Sequence, residues 1–187
     1  MKMKRYEGGS AVMLNCRPGS LFDRASAWCV KDPAYKFVAL GEHHMVLQFV
    51  GRNLTQNDVA YMIASALGFA EHSGSVPIVY TGKLSIFSTA KGRYLIAHVE
   101  NTEPLKAARE LLLRQLSGAG LKPKDSFPYK PHVTLAEAPP GPSGKEDLRA
   151  FETTPFTEEL TEVLIKYGPK RMLVKIGERQ KEFHEDP

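Results

Sequence analysis

The sequence contains two short segments in which a histidine opens an apolar run, HMVL at 44–47 and HVTL at 132–135. Histidine has a usual pKa of ~6.5, so its imidazole can give or take a proton near neutrality. Attack on a phosphodiester needs a base for the incoming oxygen and an acid for the departing one, and two imidazoles facing one volume supply both. The repeated pattern predicts that His44 and His132 form a catalytic pair.

Side chains alternate between the two faces of a β-strand, which divides each segment into two sets. On the first strand the alternation sets His44, Val46 and Gln48 against Met45, Leu47 and Phe49. On the second strand His132 and Thr134 share a face. The apolar sets must pack against helices, so each histidine and its i+2 neighbour are expected on an open face. A hydroxyl at that i+2 position, as in Thr134, can donate to a non-bridging phosphate oxygen.

The elements that must position these histidines show alternating helical and strand-like patterns. Apolar residues recur at helical spacing in three segments and predict helices there. These run over 21–30, from the cap residue Thr55 to about 70, and over 104–116. Strands are predicted over 10–16, 35–40, 44–50, 76–80, 83–88, 93–100, 132–136, 161–167 and 170–177. A helical turn is expected at 148–151, and the Pro- and Gly-rich stretch 138–144 is an exposed connection. This order lacks the regular βαβα rhythm of a parallel sheet, so the predicted class is α+β.

Each histidine strand is linked in sequence to one long amphipathic helix, which predicts a duplicated, bilobal fold in one domain over residues 1–187. We expect two antiparallel sheets that face a central cleft, with the helices on the outside and a pseudo-twofold axis between the halves. If the open faces meet, the two histidines confront each other across the cleft. The last residues, 178–187, are almost all charged or polar and are expected to fray.

The composition fits a globular protein, with 42% hydrophobic and 25% charged residues in 187. The net charge of +4 suits an anionic ligand but is too small for a protein that coats nucleic acid. No apolar run reaches membrane-spanning length and no signal peptide follows the basic N-terminus, so a cytoplasmic protein without a membrane partner is expected, as a monomer. No Cys/His cluster has zinc spacing, so neither metal nor cofactor is predicted.

At these two motifs the sequence resembles the 2H phosphoesterase superfamily, which includes bacterial 2′,5′ RNA ligase-like proteins and cyclic phosphodiesterases. The hallmark H-h-T-h-x-F-h-G, where h is apolar, is matched by HMVLQFVG at 44–51, and P-H-h-T-h is matched by PHVTL within 131–136. The resemblance covers most of the chain. It implies the bilobal fold and the cleft, with His44 and His132 as the catalytic residues and Thr134 as a phosphate donor.

Position 46 departs from the family pattern, because Val46 stands where the family has Thr or Ser. Valine matches threonine in shape but has no hydroxyl, so one phosphate donor is missing. Losing such a donor typically costs about 10²–10³ in rate when nothing replaces it. Gln48, on the same predicted face, is a candidate replacement, as are Lys83 and Lys130 from nearby segments.

The loop over 118–131 precedes the second motif and is expected to overhang the cleft. An aromatic residue there, Phe127 or Tyr129, can stack on a nucleobase, and Lys130 can meet a phosphate. Plain loop packing is the alternative for all three. His98 continues a predicted strand and is interpreted as structural.

The resemblance implies a metal-independent phosphodiesterase whose substrate is a 2′,3′-cyclic phosphate, a 2′,5′-linked or cyclic (oligo)nucleotide, or an RNA end. A binding module for nucleotides or RNA ends, with weak or no turnover, is an alternative because Val46 removes a donor. Ligation of RNA ends is another, and so is hydrolysis of cyclic nucleotide immune signals, as in some viral members of the family. The sequence leaves open which histidine is the acid.

Overall fold

A computed structural model of the chain describes residues 5–39, 41–123, 128–141 and 148–178. In these residues the strands are β1 (Gly9–Asn15), β2 (Lys36–Phe37), β3 (His44–Arg52), β4 (Val76–Thr89), β5 (Gly92–Val99), β6 (His132–Ala138), β7 (Phe156–Leu160), β8 (Glu162–Tyr167) and β9 (Lys170–Lys175). The helices are α1 (Ser20–Cys29), α2 (Gln56–His72), α3 (Glu103–Gly118) and a 3₁₀-helix (Arg149–Phe151). The predicted α+β class is confirmed. The expected frayed tail lies, from residue 179 onward, outside the described residues.

The strands form one antiparallel sheet in the order β7-β4-β5-β6-β3-β1-β8-β9, with β2 paired to β6. The two histidine strands, β3 and β6, are neighbours at its centre. They pair at one position in the described chain, Met45 with Val133. The structure therefore differs from the expectation of two sheets facing each other, because the two half-sheets are joined edge to edge at this pair.

The predicted duplication is visible in the order of elements. One half contains β1-α1-β3 and the other β5-α3-β6, and in each the first strand pairs antiparallel with the histidine strand. Outward from the centre, the strands run β3-β1-β8-β9 in one half and β6-β5-β4-β7 in the other. Since Met45 and Val133 each follow their histidine directly, a pseudo-twofold axis passes between them.

The three α-helices pack on one face of the sheet and share one hydrophobic core with it. Their apolar stripes supply residues such as Leu21, Met62 and Leu112, which meet Met45 and Val133 from the central strands. Burying a side chain of this size contributes about 1.5–3 kcal/mol. The opposite face of the sheet carries no helix formed by the described residues and is called the open face below. Among the described helices none is long and apolar enough to cross a membrane.

A capping box formed by the predicted cap residue Thr55 and by Asp58 fixes the start of α2. The Thr55 hydroxyl accepts a hydrogen bond from the Asp58 amide (3.2 Å), and the Asp58 carboxylate accepts one from the Thr55 amide (3.0 Å). A cap of this kind contributes about 1 kcal/mol. The helix thus begins shortly after the central strand β3 ends at Arg52, and the chain turns back over the sheet.

The observed strands differ from the predicted ones in three places. The strand expected over 35–40 is reduced to β2, and its last residue lies outside the described residues. The segments 76–80 and 83–88 form the single strand β4, which bends at Gly82 with a φ of +77°. A side chain there would collide with the carbonyl oxygen of Thr153, so glycine is required. The edge strand β7 was not predicted because its alternation is mostly polar.

Each histidine strand contains a β-bulge three residues after its histidine. Along β1 the register passes from Met13–Val46 to Val12–Gln48, so one residue of β1 spans two of β3. Along β5 it passes from Ile96–Thr134 to Leu95–Ala136. The pair of residues at each bulge, Leu47 with Gln48 and Leu135 with Ala136, therefore lies on the helix side, and all four are buried.

Candidate active site

The two motifs place four side chains at the centre of the open face. Because Met45 pairs with Val133, the antiparallel register sets His44 opposite Thr134 and Val46 opposite His132. The histidines are thus diagonal neighbours, positions whose Cβ atoms are about 7–8 Å apart in an antiparallel pair. Both imidazoles are partly exposed, as is Thr134, and Val46 is 38% exposed. A phosphate placed over the Met45–Val133 pair would be within reach of both rings.

The two imidazoles are held in the same way. His44 Nδ1 is 2.9 Å from the Glu42 carbonyl oxygen, and His132 Nδ1 is 2.8 Å from that of Lys130. A carbonyl oxygen only accepts hydrogen bonds, so Nδ1 carries the proton in both rings. Each Nε2 is therefore the nitrogen that reacts, as a base when the ring is neutral and as an acid when it is protonated.

The surroundings of His44 favour its neutral form. Burial is the main effect that lowers the pKa of His44, and the positive charges of Arg171 and Lys166 lower it further. The hydrogen bond to the Glu42 carbonyl and the charge of Glu137 act in the opposite direction. At neutral pH the His44 Nε2 is available to accept a proton.

His98, which the sequence predicts to be a structural residue, is a near neighbour of the second motif. It is the cross-strand partner of His132 on the open face, and its Nε2 is 2.7 Å from the Ser85 hydroxyl. Burial lowers the pKa of His98, and the charges of His132 and Lys83 lower it further. A neutral His98 adds no positive charge beside His132.

Both sides of the open face contribute a residue near the histidines that the sequence did not indicate. On the side of β4, the Phe87 ring is 52% exposed and its centroid is 6.3 Å from that of His132. On the side of β9, Arg171 Nη1 is 3.6 Å from the carboxylate of Glu42, next to His44. These contacts depend on the order of the strands in the sheet, for which the local sequence carries no signal.

The prediction that Gln48 shares a face with His44 is wrong. The bulge in β3 turns Gln48 to the helix side, where it is 2% exposed, and moves Phe49 to the open face. Arg109 from α3 donates to Gln48 Oε1 (2.9 Å) and to the Leu47 carbonyl (3.2 Å). Gln48 thus supports the strand from behind and cannot replace the missing hydroxyl of Val46.

The other predicted binding residues fall in different places. Tyr129 donates from its hydroxyl to the Val46 carbonyl (3.2 Å), with its ring under the Arg109 guanidinium (4.4 Å). Its ring packs on the core, so it matches the loop-packing alternative. The Lys130 carbonyl holds His132 while its side chain is exposed, and Lys83 is within electrostatic reach of His98. Phe127 lies outside the described residues.

In the parts of the chain that the structure describes, no three or more His, Cys, Asp or Glu side chains are grouped so as to hold a metal ion.

A sequence model of the 2′-5′ RNA ligase superfamily matches residues 35–165, a stretch that includes both histidine motifs. This match spans well over half of the chain, which therefore belongs to that superfamily of 2H phosphoesterases. The family acts on phosphodiester bonds. No curated protein matches the chain by sequence.

Solved structures support the fold. TT0787 of Thermus thermophilus superposes with a TM-score of 0.62 at 16% identity, over 90% of this chain and 96% of that one. LigT of E. coli complexed with 3′-AMP gives 0.57 at 14% identity over 90% and 96%, respectively. The MHV ns2 PDE domain gives 0.57 at 15% identity over 90% and 100%. At these identities the likeness shows a shared fold.

Proposed function

We propose that the chain is a metal-independent phosphodiesterase in which His44 and His132 act as the acid–base pair. The observation that carries this proposal is the matched pair of imidazoles on adjacent strands, each with Nδ1 bound to a backbone carbonyl and Nε2 left to react. Thr134, opposite His44, is the phosphate donor. The substrate is a 2′,3′-cyclic phosphate, a 2′,5′-linked or cyclic (oligo)nucleotide, or an RNA end, since the exposed Phe87 ring beside His132 suits a nucleobase.

In this mechanism His44 is the base and His132 the acid. The lowered pKa of His44 favours an imidazole that takes a proton from the attacking water as the new phosphorus–oxygen bond forms. Protonated His132 then gives its proton to the departing oxygen as the old phosphorus–oxygen bond breaks. Thr134 donates to a non-bridging oxygen while charge develops there.

The experiment is turnover in the presence of EDTA of a panel of 2′,3′-cyclic nucleotides, 2′,5′-linked dinucleotides and cyclic dinucleotides. We expect at least one substrate to be hydrolysed, and the His44→Ala and His132→Ala variants each to lose about 10³-fold or more of the rate. His72→Ala is a matched control, because His72 lies at the end of α2, away from the open face. Hydrolysis that survives both substitutions would disprove the proposal.

The pH dependence of the same reaction tests the assignment of base and acid. Because the pKa of His44 lies below its usual value of 6.5, the rate should fall on the acidic side only below that pH. An NMR titration of the imidazoles assigns the group. A His44 ring that titrates above 6.5 would reverse the roles.

The alternatives give different results with the same substrates. Tight binding of panel members with no turnover would indicate the binding module, which Val46 favours because it lacks a donor. Joining of 2′,3′-cyclic RNA ends would indicate ligation, the reverse reaction in the same site. Preference for cyclic dinucleotides would indicate hydrolysis of immune signals.

A further inference from the structure

One of the four residues at the centre of the site, Val46, has no group that can bind a phosphate oxygen. Thr134 supplies a hydroxyl opposite His44, but the equivalent position opposite His132 is Val46. The predicted substitute, Gln48, is buried on the helix side. A phosphate at this site would therefore have one donor fewer unless a group from elsewhere in the fold reaches it.

Two cations stand opposite each other on β8 and β9. Lys166 pairs with Arg171 in the antiparallel register. Both lie on the open face, since they are two residues from Leu164 and Leu173, and Leu164 packs with Met13 on that side. Like charges directly opposite in a sheet destabilise it. A pair that breaks this local rule is the kind of feature that an anionic ligand explains.

Arg171 extends from β9 to the loop before β3. Its Nη1 atom is 3.6 Å from the Glu42 carboxylate, and the two side chains are 45% and 57% exposed. An ion pair this long and this exposed contributes little to stability, so the guanidinium can exchange Glu42 for a stronger anion at little cost. The Glu42 carbonyl holds the His44 ring, so the guanidinium contacts the side chain of the residue that positions the reacting imidazole.

We propose that Arg171 binds a non-bridging oxygen of the substrate phosphate on the His44 side and supplies the interaction that Val46 cannot make. Guanidinium binds phosphate oxygens through charge-assisted hydrogen bonds, which are about twice as strong as neutral ones. Lys166 adds positive potential but does not need to touch the ligand. The proposal rests on the proposed function for its chemistry, and on Arg171, Glu42 and Val46 for its geometry.

The first test uses inorganic phosphate as the probe and does not depend on turnover. Phosphate binding is followed by NMR of the imidazoles in the wild-type protein and in Arg171→Ala, Arg171→Lys and Lys170→Ala. Lys170 is the matched control, because it is the adjacent residue of β9 and faces the other side of the sheet. We expect phosphate affinity to fall about tenfold or more in Arg171→Ala and less in Arg171→Lys. Lys170→Ala should bind like the wild type. Failure of the wild type to bind phosphate, or an Arg171→Ala affinity within about twofold of the control, overturns the proposal.

The second test asks whether Arg171 replaces the missing hydroxyl. Val46→Thr is combined with Arg171→Ala, and turnover of a 2′,3′-cyclic nucleotide is measured in the double-mutant cycle. If the two groups serve the same phosphate, Val46→Thr should restore most of the rate lost in Arg171→Ala and add less in the wild-type background. Independent effects in the two backgrounds would contradict the proposal.

Glu42→Gln separates binding of phosphate from anchoring of the loop. It removes the competing carboxylate but keeps the backbone carbonyl that holds His44. We expect tighter phosphate binding, because Arg171 is released; a loss as large as that of Arg171→Ala would show that the arginine only anchors Glu42. If His44→Ala and His132→Ala leave turnover intact, the proposed function fails, and the phosphate titration still decides the role of Arg171.

Discussion

Val46 and Thr134 occupy equivalent places on the two central strands, each one residue beyond the pair that joins them. Both flank the position proposed for the substrate phosphate, but only Thr134 can donate a hydrogen bond. The site is thus symmetric in its imidazoles and asymmetric in its phosphate ligands. This asymmetry was visible in the sequence, because the two motifs align residue by residue.

Restoring the hydroxyl at position 46 should raise turnover. Val46→Thr preserves the shape of the side chain and adds a donor next to His132, so we expect the rate to rise up to about tenfold, measured on the best substrate of the panel. Val46→Ala is the control, since it alters the side chain without adding a donor. A large fall in Val46→Thr alone would mean that the valine methyl groups contact the substrate.

The residues that the sequence identified and those that it missed differ in how they reach the site. His44, His132 and Thr134 are brought together by two local strand patterns, and strand alternation is a local property. Arg171 and Phe87 lie on β9 and β4, three and two strands away from the nearer histidine strand, so their contacts depend on the order of the strands in the sheet. Gln48 was misplaced because alternation assumes a regular strand, and a bulge shifts every later side chain to the other face.

At the scale of elements, the two central strands have the same bulge, but β3 is also held by side chains from outside the sheet. Both have a bulge three residues after the histidine. Beyond Met45, β3 no longer pairs with β6, and side chains donate hydrogen bonds to its carbonyl groups instead. Tyr129 donates to the Val46 carbonyl, and Arg109 to that of Leu47. The helix α3 and the segment before the second motif thereby hold the strand of the first motif.

Arg109→Ala should weaken both the fold and the site. The substitution removes the hydrogen bonds to the Leu47 carbonyl and to Gln48, so we expect a loss of about 1–3 kcal/mol in the free energy of unfolding, measured by urea denaturation. Turnover should fall in the folded protein because β3 carries His44. Arg114→Ala, an exposed arginine of the same helix, is the control. Equal stability of the two variants would show that Arg109 does not support β3.

On the scale of the whole molecule, a partly buried carboxylate links the two halves on the helix side of the sheet. Glu158, on the edge strand β7 of one half, accepts from the backbone amide of Arg17, which follows β1 of the other (2.7 Å). It also accepts from the Tyr80 hydroxyl (2.9 Å). Burial raises the pKa of Glu158 above its usual value of 4.5, while these hydrogen bonds and the charge of Arg17 oppose the rise.

The raised pKa of Glu158 predicts how stability depends on pH. The folded protein binds this proton more tightly than the unfolded chain, so the ionised carboxylate costs stability above the folded-state pKa, and that cost disappears as the pH falls towards 4.5. We expect Glu158→Gln to have a Tm at about pH 7.5 no lower than that of the wild type, with the wild type gaining on it towards about pH 5. Glu159→Gln, on the exposed neighbour, is the control. A Glu158→Gln variant that is much less stable at pH 7.5 would mean that the ionised form stabilises the fold.

The unequal side chains on the two sides of the Met45–Val133 pair affect which bond of a cyclic ester breaks. A site with perfect twofold symmetry would accept such an ester in two orientations and would release a mixture of two monoester isomers. Here one side of the axis carries a hydroxyl and the other a valine, so the two orientations differ in energy. For the proposed reaction, the product should be a single regioisomer, and its identity would report which way round the ring was held.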